Sequence, residues 1–258
     1  MLSTELKSQI QGAYSRFLEA KSLKPRYGQR LMIAEIAKVL GTIKTDDEGK
    51  RLGDPAVVAV EAGTGTGKTV AYSLATIPTA KAAGKRLVIA TATVALQEQI
   101  VHKDLPDLLR NSGLNFSFAL AKGRGRYLCL SKLDHLLQDG AAQSATAQLF
   151  EEEGFRIDVD EQGQKLFTAM IEKLAGNKWD GDRDSWPEEL EDSRWAQLTT
   201  DHSQCTNRHC PNFQQCAFYK AREGMGKVDV IVTNHDMVLA DLALGGGAVQ
   251  IGRASCRE

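Results

Sequence analysis

No stretch of this 258-residue chain approaches the length of an apolar membrane span, and its opening residues, MLSTELKSQIQGAYSRF, lack a signal-peptide core. These absences argue for a cytoplasmic protein with no membrane partner. A charge of one sign is missing too. The formal net charge is −1, so bulk electrostatics do not advertise a nucleic-acid binder. No internal repeat or low-complexity tract is present, which leaves a globular architecture. Cysteine is scarce, at five residues, and in a cytosolic chain these are expected as reduced thiols or metal ligands, not disulfides.

What is there fits one large α/β domain, or one domain with a smaller insertion: 42% of residues are hydrophobic and 25% charged. The charge is unevenly spread. Residues 151–192 hold Glu151, Glu152, Glu153, Asp180, Asp182, Asp184, Glu188, Glu189, Glu191 and Asp192. A DNA path would avoid this segment, which reads as a solvated face. At the N-terminus Leu2, Leu6, Ile10, Tyr14 and Phe17 recur at helical spacing and predict an amphipathic packing helix.

Residues 62–69 read Ala-Gly-Thr-Gly-Thr-Gly-Lys-Thr, directly after the apolar run Ala56–Val60. A strand that ends in a glycine-rich loop and enters a helix is the geometry for holding a nucleoside triphosphate. Gly63, Gly65 and Gly67, with Ala62, Thr64 and Thr66 between and beside them, let backbone N–H groups face phosphate oxygens. The helix that follows adds its positive end. Lys68 is expected on the β- and γ-phosphates of ATP, and the Thr69 hydroxyl on Mg²⁺, which makes these two the catalytic candidates. Ala62 stands where the general pattern has glycine, a form favoured in superfamily 2 helicases.

Four short apolar runs predict buried parallel strands: Ala56–Val60, Arg86–Ala90, Phe116–Leu120 and Val228–Val232. Helical patterns cover Lys68–Ala83 and about Thr93–Arg110, and residues 41–55 read as a polar loop. Alternating β and α predict an open parallel sheet with ligands at the strand C-terminal ends. The interval from Gly123 to Lys227 breaks this rhythm; it is long, acidic and cysteine-bearing, with a helix near Gln164–Leu174 and little apolar core expected of its own. The expected organisation is a motor-domain part at 1–122, an inserted domain at 123–227, a return at 228–250 and a non-native tail at 251–258.

Cys205, Cys210 and Cys216 lie within the insertion and Cys129 at its start. Four thiolates suit either zinc or an iron–sulfur cluster. The paired C-x2-C knuckles usual in structural zinc sites are absent, so the spacing is weak for zinc and acceptable for iron–sulfur. His202 and His209 flank the cluster as substitutes for one thiolate, or as solvated loop residues.

The loop Ala62–Thr69, the segment Thr91-Ala-Thr-Val-Ala-Leu-Gln-Glu-Gln99, the string Gly123-Arg-Gly-Arg-Tyr-Leu-Cys129 and the cysteine triplet occur in that order. Lys178-Trp-Asp-Gly-Asp-Arg-Asp184 and Val232-Thr-Asn-His235 accompany them. Together they resemble the XPD-like iron–sulfur branch of superfamily 2 DNA helicases. The resemblance implies an α/β RecA-like P-loop motor domain with a parallel sheet and an inserted iron–sulfur cluster domain. It implies a [4Fe–4S] cluster on Cys129, Cys205, Cys210 and Cys216, with ATP and Mg²⁺ as cofactors. It places Gln29 on the adenine edge of ATP, where an amide can both donate and accept. Thr91, Thr93 and Gln97 match a segment that contacts single-stranded DNA backbone, and Thr93 can cap a helix as well. Arg124, Arg126 and Tyr127 offer phosphate contact and base stacking; the alternative is an ordinary charged loop. His235 reads equally as a core residue. The implied activity is 5′→3′ translocation on single-stranded DNA by a monomer, acting on forked or displaced-strand DNA.

One element of such an ATPase is missing. A carboxylate pair, Asp-Glu-x-His in this branch, holds the metal and orients water. The Asp-Glu pairs here are Asp47-Glu48, in the early loop, and Asp160-Glu161, in the acidic interval. Neither ends a strand after Val228–Val232, so the motif is expected beyond residue 258 and the chain alone is expected to be inactive. Ile251-Gly-Arg-Ala-Ser-Cys-Arg-Glu258 reads as translated adapter sequence, and Cys256 is therefore not counted as a ligand. Two rival classes remain: a non-catalytic, nucleotide-switched DNA-binding or redox-sensing module, and a zinc-stapled NTPase acting on something other than DNA.

Overall fold

The structure, a computed structural model, describes residues 2–142 and 161–243, and along 138–142 it describes the helical backbone alone. Glu151, Glu152 and Glu153, Asp160, residues 244–250 and the tail 251–258 with Cys256 lie outside the described residues. The chain divides into two compact units, one made of Met1–Ala121 with Gly224–Glu258 and the other of Lys122–Glu223.

The first unit begins with α1 (Thr4–Ala20), whose first turn is capped by Ser3 Oγ accepting from Leu6 N at 3.1 Å. Leu6, Ile10, Tyr14 and Phe17 fall on its buried face, as helical spacing requires. A second helix, α2 (Tyr27–Leu40), buries Met32, Ile33 and Ile36. The expected loop at 41–55 contains a small antiparallel hairpin of β1 (Lys44–Thr45) and β2 (Arg51–Leu52). Asp46 Oδ1 closes its turn by accepting from Glu48 N and Lys50 N at 3.1 and 2.7 Å. Next come α3 (Lys68–Ala82) and β3 (Leu87–Thr91).

The helix expected over Thr93–Arg110 is not continuous. It consists of α4 (Val94–Gln99), a π turn at Ile100–Asp104, and α5 (Leu105–Asn111). Pro106, in the first turn of α5, has no N–H to give to the carbonyl one turn back, and the backbone widens before it. The unit continues with β4 (Phe118–Leu120) and, after the second unit, β5 (Val230–Asn234) and α10 (His235–Ala243), numbered after the four helices below. The sheet is three-stranded and parallel, in the order β3-β5-β4. Its central strand is apolar and closed to solvent: Val230 is 1% exposed, and Ile231 and Val232 are 0% exposed.

The run Ala56–Val60 overturns one expectation. It is not a strand, and Val57 is 80% exposed. Apolar residues supply the faces of a strand but not its neighbour. Among the described residues no strand pairs with this run, and it stays exposed to solvent.

The second unit carries α6 (Leu130–Ala142), α7 (Glu161–Ala175), α8 (Asp192–Leu198) and α9 (Ala217–Met225), the last running on into the first unit's return. Contrary to the composition-based expectation, it has an apolar core. Leu128, Leu133, Phe167, Met170 and Leu198 are buried together with Trp179, Trp186 and Trp195. Two of the three indoles are anchored at their polar edges. Trp195 Nε1 donates to Gly125 O at 2.6 Å and Trp179 Nε1 to Asp182 O at 2.8 Å, while the Trp179 and Trp186 rings meet edge-on at 4.9 Å. Part of the acidic segment also turns inward. Lys122 Nζ binds Asp182 Oδ2 at 2.6 Å and Asp184 Oδ2 at 2.7 Å, and Arg126 pairs with Asp184. Burial pushes the Asp182 carboxyl up, with Lys122 pulling against it.

Candidate functional site

The glycine-rich loop sits where α3 begins. Gly65 and Gly67 have φ of +74° and +76°, and Gly67 is the left-handed N-cap of α3. Only glycine takes that conformation at no cost, which is why the spacing is legible in the sequence. Lys68 Nζ folds back on its own loop, donating to Ala62 O at 2.8 Å and Gly63 O at 2.9 Å. Thr66 Oγ1 also donates to Gly63 O, at 2.8 Å. The Thr69 hydroxyl hydrogen-bonds Tyr72 one turn along α3, and burial pushes the Tyr72 hydroxyl up against that bond. An ammonium, a hydroxyl and a helix N-terminus thus converge on one short loop, the donor set that a polyphosphate and its metal need.

Two residues of α2 and its entry grip the same loop. Arg26 Nη1 donates to Gly65 O at 2.7 Å, and Gln29 Nε2 donates to Gly67 O at 3.2 Å. Tyr14 of α1 donates to Gln29 Oε1 at 3.1 Å. Gln29 is therefore brought to the phosphate loop, while the contacts of Arg26 and Tyr14 were not legible. Arg26 and Gln29, three apart at the start of a helix, were the available signal.

At the C-terminal end of β3, Thr91 Oγ1 donates to Thr93 O at 3.1 Å, and Thr93 Oγ1 caps α4 by accepting from Leu96 N at 3.3 Å. Thr91 and Gln97 are buried and Thr93 is exposed, so Thr93 is the one of the three that faces solvent.

In the second unit Cys129, Cys205, Cys210 and Cys216 all line one recess, with Arg124, Tyr127, Leu128, Phe218 and Tyr219 among its other walls. Burial pushes the Cys216 thiol up; backbone N–H groups of Phe218 and Tyr219 oppose this, and Cys129 and Cys205 reinforce it. Arg124 Nη1 donates to Cys205 Sγ at 2.7 Å, Asn207 N donates to the same sulfur at 3.4 Å, and Ser131 Oγ lies 3.1 Å from Cys210 Sγ. Among the described residues no group of three or more His, Cys, Asp and Glu is placed to hold a metal ion. His202 and His209 are exposed and do not line the recess.

Three residues of the Arg124-Gly-Arg-Tyr127 string, expected as DNA contacts, have partners inside the unit. The Tyr127 ring is buried, edge-on to Phe218 at 5.8 Å, and burial first and Asp182 second push its hydroxyl up to about 12. A ring enclosed in this way has no open face for a base. The Arg124 guanidinium lies over the Phe218 ring at 4.2 Å and serves Cys205, so its cation is used inside the unit. Arg126 is paired with Asp184. Sequence reasoning missed Asn207, Phe218 and Tyr219, which support this arrangement; nothing local marks them.

The DEAD/DEAH box helicase family matches residues 41–138, a span that includes the glycine-rich loop. The chain is 41% identical over 250 residues to the ATP-dependent DNA helicase DinG of Photobacterium profundum, an alignment covering 96% of this chain and 34% of that protein. Over nearly its whole length the chain resembles DinG. It is 37% identical over 240 residues to DinG of Escherichia coli (strain K12) and of Salmonella typhimurium, covering 93% of this chain and 32% of each relative. The chain therefore spans about a third of the length of the curated DinG relatives it matches. Among the described residues no helix is long and apolar enough to cross a membrane.

Proposed function

We propose that this chain belongs to an ATP-dependent DNA helicase that translocates 5′→3′ on single strands and opens forked or displaced-strand DNA. The observation that carries the proposal is the glycine loop at the start of α3, with Lys68, Thr69 and Gln29 gathered on it, in a chain that resembles DinG. In this reading the loop N–H groups and Lys68 bind the phosphates, Thr69 binds Mg²⁺ and Gln29 reads adenine. Lys68 leaves the carbonyls of Ala62 and Gly63 to do so. Thr91 and Thr93 lie at the end of β3 and Gln97 on α4, and in this reading a DNA backbone passes there with Thr93 making the first contact.

The four cysteines are assigned to a [4Fe–4S] cluster. Their donor set is soft, they line one recess, and two N–H groups already address the Cys205 sulfur. Such a cluster, when bound, ties Cys129 to the Cys205–Cys216 loop, and the unit that carries it, an insertion in the motor domain, serves as a wedge or guide for the separating strands.

This chain is expected to bind nucleotide yet turn it over poorly. Asp47-Glu48 lies at the β1–β2 turn and Glu161 opens α7, so none of these three carboxylates ends a strand of the parallel sheet. Groups of that kind act in the transition state, where an arginine finger alone is worth roughly 10³–10⁵ in rate. Phosphate release is measured with Mg²⁺ and single-stranded DNA against a Lys68→Ala control. Rates indistinguishable from the control, together with ATP binding tighter than that of the control, support the reading. Absence of ATP binding refutes it.

A further inference from the structure

The Gln29 amide is held at both ends. Its Oε1 accepts from Tyr14 Oη at 3.1 Å, and its Nε2 donates to Gly67 O at 3.2 Å. Tyr14 is buried on α1, and its oxygen also accepts from the Arg26 backbone N–H at 3.4 Å. The single hydroxyl proton of Tyr14 is therefore committed to Gln29. On the other side the Gly67 carbonyl can only accept. Turning the amide over would press Oε1 against that carbonyl and leave Nε2 where the Tyr14 proton points. The fit also requires glycine, because a Cβ on residue 67 would stand 2.1 Å from Gln29 Nε2.

A primary amide has two N–H donors and two carbonyl lone pairs. After these two bonds Gln29 keeps one donor on nitrogen and one lone pair on oxygen. A donor and an acceptor side by side complement the N6 amino group and N7 of adenine. Guanine presents two acceptors on the same edge, O6 and N7, and would set one of them against Oε1.

We infer that Tyr14 and the Gly67 carbonyl are positioning groups that lock the Gln29 amide in the one orientation that selects adenine over guanine. This rests on the nucleotide reading given above and deepens it: the discrimination is set by residues that never touch the base.

The test titrates the 258-residue chain and its Tyr14→Phe variant with ATP, GTP, 7-deaza-ATP and inorganic tripolyphosphate, all with Mg²⁺, by calorimetry. Phenylalanine keeps the ring packed in the core and removes only the hydroxyl. The expected result is an ATP-to-GTP preference lowered about fivefold, the worth of one net hydrogen bond, with tripolyphosphate affinity unchanged. The gap between ATP and 7-deaza-ATP, which lacks N7, narrows by a similar factor. An unchanged ATP-to-GTP ratio in Tyr14→Phe overturns the inference. So does an equal loss for ATP, GTP and tripolyphosphate, which would make Tyr14 a structural residue alone. An unsubstituted chain that binds tripolyphosphate but treats ATP and GTP alike removes Gln29 as a base reader, and the inference with it. One that binds no phosphate at all removes the phosphate-loop reading itself.

Discussion

The two compact units build their candidate sites from different atoms. In Met1–Ala121 with Gly224–Glu258, the site is mostly main chain: loop N–H groups, a helix N-terminus and carbonyls held by Arg26, Gln29 and Lys68. In Lys122–Glu223, it is mostly side chain: four thiols, a guanidinium stacked on Phe218, and a hydroxyl beside Cys210. A main-chain site depends on conformations that glycine alone permits, so it is written locally. A side-chain site depends on residues brought together across the sequence; Arg124 and Cys205 meet over 81 positions. The two kinds of site should therefore fail differently.

The largest effect is expected at the thiols. Replacing any one of Cys129, Cys205, Cys210 or Cys216 by serine should strip iron from the anaerobically purified chain, whereas Cys256→Ser should not. Because the second unit has its own apolar core, the three tryptophans should stay buried in the iron-free variants, with their fluorescence still blue-shifted. Tryptophans released to water on iron loss would show that the thiols, not the core, hold this unit. The next effect attacks the core directly. Phe167, 1% exposed, is expected to cost about 3–5 kcal/mol on truncation to alanine, read as loss of the tryptophan signal at lower denaturant.

In the first unit Lys68→Ala should weaken ATP binding about 10- to 100-fold, as a charged hydrogen bond of about 1.5–3 kcal/mol is lost, without shifting the melting midpoint downward. A stability loss in place of the affinity loss would mean that the contacts of Lys68 with its own loop are its main role. A smaller effect is expected at Asp229. Partial burial raises its carboxyl, but Ser117 N at 2.8 Å, Ser117 Oγ at 3.1 Å and Lys81 outweigh this and hold it below the usual carboxylate range. A depressed folded value means that stability is present above the unfolded carboxylate pKa and lost as pH falls through the folded one. Asp229→Asn should therefore cost about 1–2 kcal/mol at neutral pH and progressively less on acidification, measured by urea melts. A cost that stays constant with pH would contradict the assignment. The smallest effect is Thr93→Ala, about 1 kcal/mol for a lost helix cap.

The same contrast explains what could be read from the sequence. The phosphate loop was legible because Gly63, Gly65 and Gly67 and the helix after them lie within a few residues of one another. The runs around Leu87–Thr91, Phe118–Leu120 and Val230–Asn234 were legible as strands because burial on both faces demands continuous apolar sequence. Ala56–Val60 satisfied the same criterion and is not a strand, since pairing is a property of a neighbour that composition does not reveal. In the second unit acidic composition masked a core whose members are scattered from Leu128 to Leu198. Tyr127 looked like a stacking platform because an aromatic between cations resembles one; its enclosure by Phe218 depends on chain about 90 positions away. Helical periodicity runs across Pro106, so Thr93–Arg110 read as one helix although the proline is the local signal for the break before α5.

The most direct test of the account is the metal content of the chain purified without air, taken as iron, acid-labile sulfide and zinc on one sample. The expected result is a brown protein with iron and sulfide in equal amounts, near four of each per chain as a [4Fe–4S] cluster requires, and no zinc. A colourless protein carrying one zinc per chain, or no metal with all four thiols freely titratable, would contradict it.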